Sequence, residues 1–189
     1  MIKSVTRLRW FAPLGFALAE RFVNTSLTQV SRYFTDPVLH ERILDRVLEH
    51  IGPETKAIIA HSLGTVVAYE VAGRLTDPVP LLVTLGSPLG LRTCIYDRIQ
   101  PRPPVYPNAV HRWVNIADRN DLVAADPDLA RLFPVTHPAG DGLESGWLTD
   151  ATVDNGPQPH QGEYYLQKRR VGAPIADALA GDTGPGPTS

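Results

Sequence analysis

The stretch Lys56-Ala57-Ile58-Ile59-Ala60-His61-Ser62-Leu63-Gly64 decides how this chain is read. Ala57 to Ala60 is an apolar run of strand length, and from Leu63 to about Leu75 the apolar residues return at helical spacing. A strand therefore turns into a helix across His61 and Ser62. So abrupt a turn leaves the Ser62 side chain proud of a strained backbone and asks for small residues two positions away, here Ala60 and Gly64. The Leu63 amide opens the helix, has no partner within it, and points toward an oxyanion formed if Ser62 attacks a carbonyl.

Working outward, Thr35 or Asp36 can cap a helix with Pro37 in its first turn, and Val38, Leu39, Ile43, Leu44, Val47, Leu48 and Ile51 share one face. Gly52-Pro53 ends it. Downstream, Val79 to Leu85 reads as a buried strand closed by Gly86-Ser87-Pro88, and Leu89 to Asn108 as a long excursion with one helical turn near Ile95 to Ile99. His111 to Ala117 is a further strand ending in the polar turn Asp118-Arg119-Asn120-Asp121, and Leu148 to Val153 a weaker one. Apolar strands alternating with helices predict the α/β class, a parallel sheet with helices on both faces. Residues 1–34 are expected to form an apolar, lid-like or edge-covering segment, 35–172 the core, and 173–189, rich in Gly, Pro, Ala and Thr, a frayed tail.

Composition narrows the function classes. With 189 residues, 43% hydrophobic and 20% charged, the chain suits one ordinary domain with a core and is neither disordered nor a coiled coil. A net charge of −2 offers no basic footprint for nucleic acid. Cys94 is the single cysteine, which excludes an internal disulfide and any CxxC pair. No apolar run reaches the roughly 20 residues that span a bilayer, so a soluble, cytoplasmic chain is expected. Export remains the alternative, because Lys3, Arg7 and Arg9 precede the apolar Trp10 to Ala19, although Pro13 and Gly15 interrupt that stretch. No phosphate loop, dinucleotide fingerprint or zinc helix is present, and neither metal nor organic cofactor is expected.

Ala60-His61-Ser62-Leu63-Gly64 fits the nucleophile elbow GxSxG with Ala for the first Gly, and here the chain resembles the α/β-hydrolase superfamily, specifically bacterial lipase-like or esterase-like members with an AHSLG or GHSLG elbow. The resemblance runs from about Thr35 to Leu166 and extends to Val83-Thr84-Leu85-Gly86-Ser87-Pro88-Leu89, to Asn115 through Val123, and to Val153-Asp154-Asn155-Gly156 leading to His160 and Tyr164-Tyr165-Leu166. It implies Ser62 as nucleophile and Asp121, just before Leu122-Val123, as the acid, with Asp118 as the alternative. His40 and His50 lie on the early helix, His61 flanks the elbow, and His111 starts a strand. That leaves His160, which matches the family's terminal loop, as the base and His137 as the alternative. The implied activity is acyl transfer to water from a small ester, thioester or amide, with the Leu63 amide as an oxyanion donor.

The pattern departs from the family in one respect. The second oxyanion amide usually comes from a loop after an earlier strand, and nothing before Thr35 resembles that loop; the chain looks like the later half of the fold. The strand at Lys56 to Ala60 would then be an apolar edge that invites association. A longer natural chain is the favoured resolution, with folding over by N-terminal residues or pairing with another chain as the others. Competing readings are a non-catalytic binding module that keeps the elbow as architecture, an inactive truncated fragment, and an unrelated α/β domain in which Ser62 caps a helix. Trp10, Phe11, Phe16 and Phe22 fit an acyl-binding lid or, more commonly, core.

Overall fold

The computed structural model describes residues 28–134 and 146–181. His137 and the aromatic residues Trp10, Phe11, Phe16 and Phe22 lie outside the described residues. The chain divides into two compact units, Met1–His40 and Glu41–Ser189, six residues beyond the boundary expected at 34/35. In the first unit residues 28–35 are helical, and the Tyr33 ring meets Phe34 and His40 edge-on at 5.1 and 4.6 Å. Asp36 Oδ1 accepts the Leu39 N–H at 3.0 Å, the cap that starts helix α1, Pro37–Leu48. Of the apolar face expected on α1 only Leu44 is fully buried, and Val38 is 68% exposed.

The larger unit is built on four parallel strands, β1 (Ala57–His61), β2 (Val79–Leu85), β3 (Val110–Asp118) and β4 (Trp147–Val153), side by side in that order. Strands buried on both faces must be apolar throughout. Val79-Pro80-Leu81-Leu82-Val83-Thr84-Leu85 meets that demand and lies in the middle of the sheet, whereas β1 is an edge among the described residues, with Ile59 45% exposed.

Period-two alternation divides the two faces. Leu81, Val83, Leu85, Val114 and Ile116 form one core with Tyr165, Val171 and Ala178, from helices α3 (Gly162–Leu166) and α4 (Arg169–Ala180). The other face carries Trp113, against which pack Tyr69 of helix α2 (Leu63–Ala72) and Phe133, with ring centroids 5.8 and 5.1 Å away. There a polar chain also crosses the sheet: Trp113 Nε1–H donates to Thr84 Oγ1, Thr84 to Asn115 Oδ1, and Asn115 Nδ2 to Asp150 Oδ1, at 2.8–2.9 Å. Each of these bonds contributes about 1 kcal/mol net, and any one left unmade inside the core costs more.

Two expectations are corrected. Residues 173–180 are not a frayed tail but most of α4, because Val171, Pro174, Ile175 and Ala178 recur at helical spacing; Val171, Ile175 and Ala178 pack on the sheet. The Gly, Pro and Ala content hid that stripe. The excursion from Leu89 to Asn108 holds a 3₁₀ turn at Pro88–Gly90 and a π turn at Arg92–Tyr96, earlier than the turn expected near Ile95 to Ile99. Helix α2 pins it: Tyr69 Oη donates to Val105 O at 2.8 Å and accepts the Val105 N–H at 3.1 Å, while the buried Glu70 accepts the Gln100 N–H at 2.8 Å. No helix among the described residues is long and apolar enough to cross a membrane.

Candidate active site

In a parallel α/β sheet the loops that leave the carboxyl ends of the strands gather at one rim, where ligand sites form. Ser62 follows β1, Gly86 follows β2, Asp118 and Asp121 close β3, and Asn155 and His160 follow β4. Residues far apart in the chain thus meet at that rim.

Ser62 sits between β1 and α2 with φ 55° and ψ −132°, and it alone among the described non-glycine residues has a positive φ. Holding a side chain there costs on the order of 1–3 kcal/mol, which the surroundings must offset. Its N–H donates to Leu85 O at 3.0 Å, extending the β1–β2 pairing. Its carbonyl accepts the Thr65 N–H at 2.9 Å and the Thr65 hydroxyl at 2.7 Å. Since Thr65 donates there, the Ser87 hydroxyl 2.8 Å away donates to Thr65, and Ser87 Oγ in turn accepts the Leu89 N–H at 3.2 Å. Thr65 and Ser87 are buried, so this directed hydroxyl chain ties the strained turn to the segment after β2. Among the described residues a Cβ on Gly64 would meet nothing within 4 Å.

His160, the expected base, meets both of its expected partners. His160 Nε2 lies 2.9 Å from Ser62 Oγ, and Nδ1 lies 2.9 and 2.8 Å from Asp121 Oδ1 and Oδ2. A carboxylate only accepts, so Nδ1 carries the proton and Nε2 presents a lone pair to the Ser62 hydroxyl. The Asp121 side chain is wholly removed from solvent, and Oδ1 also accepts the Val123 N–H at 2.9 Å.

Asp118, the alternative acid, is engaged elsewhere. One of its oxygens accepts the Asn120 N–H at 2.7 Å and the other the Asn155 N–H, while Asn155 Nδ2 donates to Pro159 O at 3.0 Å. Asp118 therefore closes its own turn and anchors the loop that delivers His160. The structure brings Asp121, not Asp118, to the imidazole. His137, the alternative base, lies outside the described residues, as does the stretch up to residue 27 in which a second oxyanion donor was sought.

His61 flanks His160. Its ring centroid is 4.7 Å from that of His160, and its Nε2–H donates to the His160 carbonyl at 2.8 Å. Burial first, and then the neighbouring His160, hold the His61 pKa below its ordinary 6.5. The neutral ring with its proton on Nε2 fits that bond.

Gly86, a strand terminator in the sequence, adjoins the candidate site. At φ +53° it occupies the left-handed region, and a Cβ there would stand 2.7 Å from Asp121 Oδ2 and 3.2 Å from His160 Nδ1. The signal in the sequence was a glycine at the end of the strand beside the elbow strand. No family model matches this chain, and neither a curated protein nor a solved structure does.

Proposed function

We propose that this protein is a serine hydrolase that cleaves an ester, thioester or amide through an acyl-enzyme on Ser62. The observation that carries the reading is the unbroken line from Ser62 Oγ through the His160 ring to Asp121, at 2.9 and 2.8 Å, on an elbow with positive φ.

The chemistry follows from the proton positions. His160 Nε2 takes the Ser62 proton as Oγ bonds to the substrate carbonyl carbon, and the carbonyl π pair moves onto oxygen. The Leu63 amide, without a partner inside α2, donates to that oxyanion. Collapse breaks the bond to the leaving group, which departs with the proton from His160. Water, deprotonated by the same nitrogen, then attacks the acyl carbon; Oγ leaves and recovers its proton. Asp121 holds the ring in the required tautomer and stabilises its transient positive charge.

A fluorophosphonate probe tests the reading. The wild type is expected to label stoichiometrically, Ser62→Ala not at all, and His160→Ala at a rate lower by roughly 10³-fold or more. A folded wild-type protein that stays unlabelled, or equal labelling of Ser62→Ala, would overturn it.

A further inference from the structure

Resting on that reading, we infer that Tyr165 is a positioning residue of the acid: its hydroxyl holds the Asp121 carboxylate in line with His160 by joining it to the end of β3. Tyr165 Oη accepts the Asp118 N–H at 2.8 Å, and that backbone proton fixes the direction of the next bond. The Tyr165 hydroxyl must then donate to its other neighbour, Asp121 Oδ2, also at 2.8 Å.

The phenol is fully buried. Burial, and then the charge of Asp121, push its pKa far above the ordinary tyrosine value, which favours the protonated, donating form. With Val123 N–H on Oδ1, Tyr165 on Oδ2 and His160 Nδ1 between them, the carboxylate is held by three donors from two segments, and rotation about its Cβ–Cγ bond would disturb all three.

The placement in the chain has a mechanical consequence. His160 precedes α3 by two residues, and Tyr165 lies inside that helix. One short element therefore carries both the base and the clamp on the acid, so a shift of the loop after β4 moves His160 and the Asp121 anchor together. Gly86 leaves the room: a Cβ there would approach Tyr165 Cε2 to 3.2 Å as well as Asp121 Oδ2 to 2.7 Å.

Tyr165→Phe keeps the ring and removes only the hydroxyl. The expected result is a kcat for acyl-ester hydrolysis lower by roughly 10- to 100-fold at unchanged KM, the range for a hydrogen bond to a charged group. Alongside it, the downfield ¹H NMR resonance of the His160 Nδ1 proton should move. That resonance is independent of turnover and separates two failures. A shifted resonance in a protein that hydrolyses nothing would retain the positioning role and remove the hydrolase reading; an unchanged resonance would overturn the positioning role whatever the activity. Should Tyr165→Phe fail to fold, the wild type suffices: a slowly exchanging Tyr165 hydroxyl proton with an NOE to the Asp118 amide proton is expected, and its absence overturns the inference.

Discussion

Gly86→Ala strikes the site through its geometry alone, adding one methyl group and no charge. The new Cβ would lie 2.7 Å from Asp121 Oδ2, 3.2 Å from His160 Nδ1 and 3.2 Å from Tyr165 Cε2, on a backbone at φ +53°. Restoring an ordinary separation of roughly 3.5 Å displaces the carboxylate by about 0.8 Å. Productive geometry tolerates about 0.5 Å, and a misplacement near 1 Å costs roughly 100-fold, so kcat should fall on the order of 100-fold. Stability should suffer twice, from left-handed strain of about 1–2 kcal/mol and from overpacking of about 1–3 kcal/mol. In a chain of this length that lowers Tm by on the order of 10 °C. Gly181→Ala separates the two causes, because Gly181 has φ +78° and, among the described residues, nothing lies within 4 Å of its Cβ position. It should show the strain alone, with wild-type kcat. Thermal unfolding and acyl-ester kinetics on both variants read the difference. A Gly86→Ala protein that matches Gly181→Ala in Tm and keeps the wild-type kcat would refute the crowding argument.

The two aspartates should part company in kcat: Asp121→Asn is expected to lower it by about 10⁴-fold as the tautomer of His160 inverts, and to cost about 1–3 kcal/mol of stability because its NH₂ meets the Val123 N–H or the Tyr165 hydroxyl. Asp118→Asn turns an amide NH₂ toward backbone N–H donors and should cost about 1–3 kcal/mol of stability, read by urea unfolding, with a much smaller effect on kcat. Ser87→Ala leaves the Leu89 N–H without its acceptor and the Thr65 hydroxyl oxygen without its donor, and a loss of about 1–3 kcal/mol is expected in the same assay. For His61 the folded pKa lies below the unfolded 6.5, so above about pH 6.5 both states are neutral and its contribution is flat. As pH falls below 6.5 the unfolded state takes up the proton first, and stability drops until the folded pKa is passed. His61→Gln should flatten that part of the Tm profile between pH 7 and 5; an unchanged difference between the two profiles across that range would contradict the assignment.

Strand identity was legible because a parallel sheet covered on both faces demands continuous apolar runs, and Val79–Leu85 appears in the structure with the bounds read from sequence. Ser62 was legible because the strand, the sharp turn and the helix are all local, and the positive φ follows from that turn. Asp121 and His160 were reached by their order relative to the strands and by the resemblance. The supporting groups were not legible. The bond from Tyr165 to Asp121 spans 44 positions and that from Thr65 to Ser87 spans 22, and no local pattern encodes which hydroxyl meets which. Asp118 and Asp121 share one turn and one chemistry, so only the fold separates the carboxylate that binds backbone amides from the one that meets the imidazole. Helix α4 escaped because Gly172, Ala173 and Pro174 resemble a tail, while the stripe that buries it depends on a sheet formed by residues far upstream.

The most direct test is stopped-flow hydrolysis of a chromogenic acyl ester with simultaneous mass analysis of the quenched protein. A burst of about one equivalent of released alcohol is expected, with the acyl mass on the peptide that contains Ser62. Steady release with no acyl mass on Ser62, or the same burst from Ser62→Ala, would contradict the account.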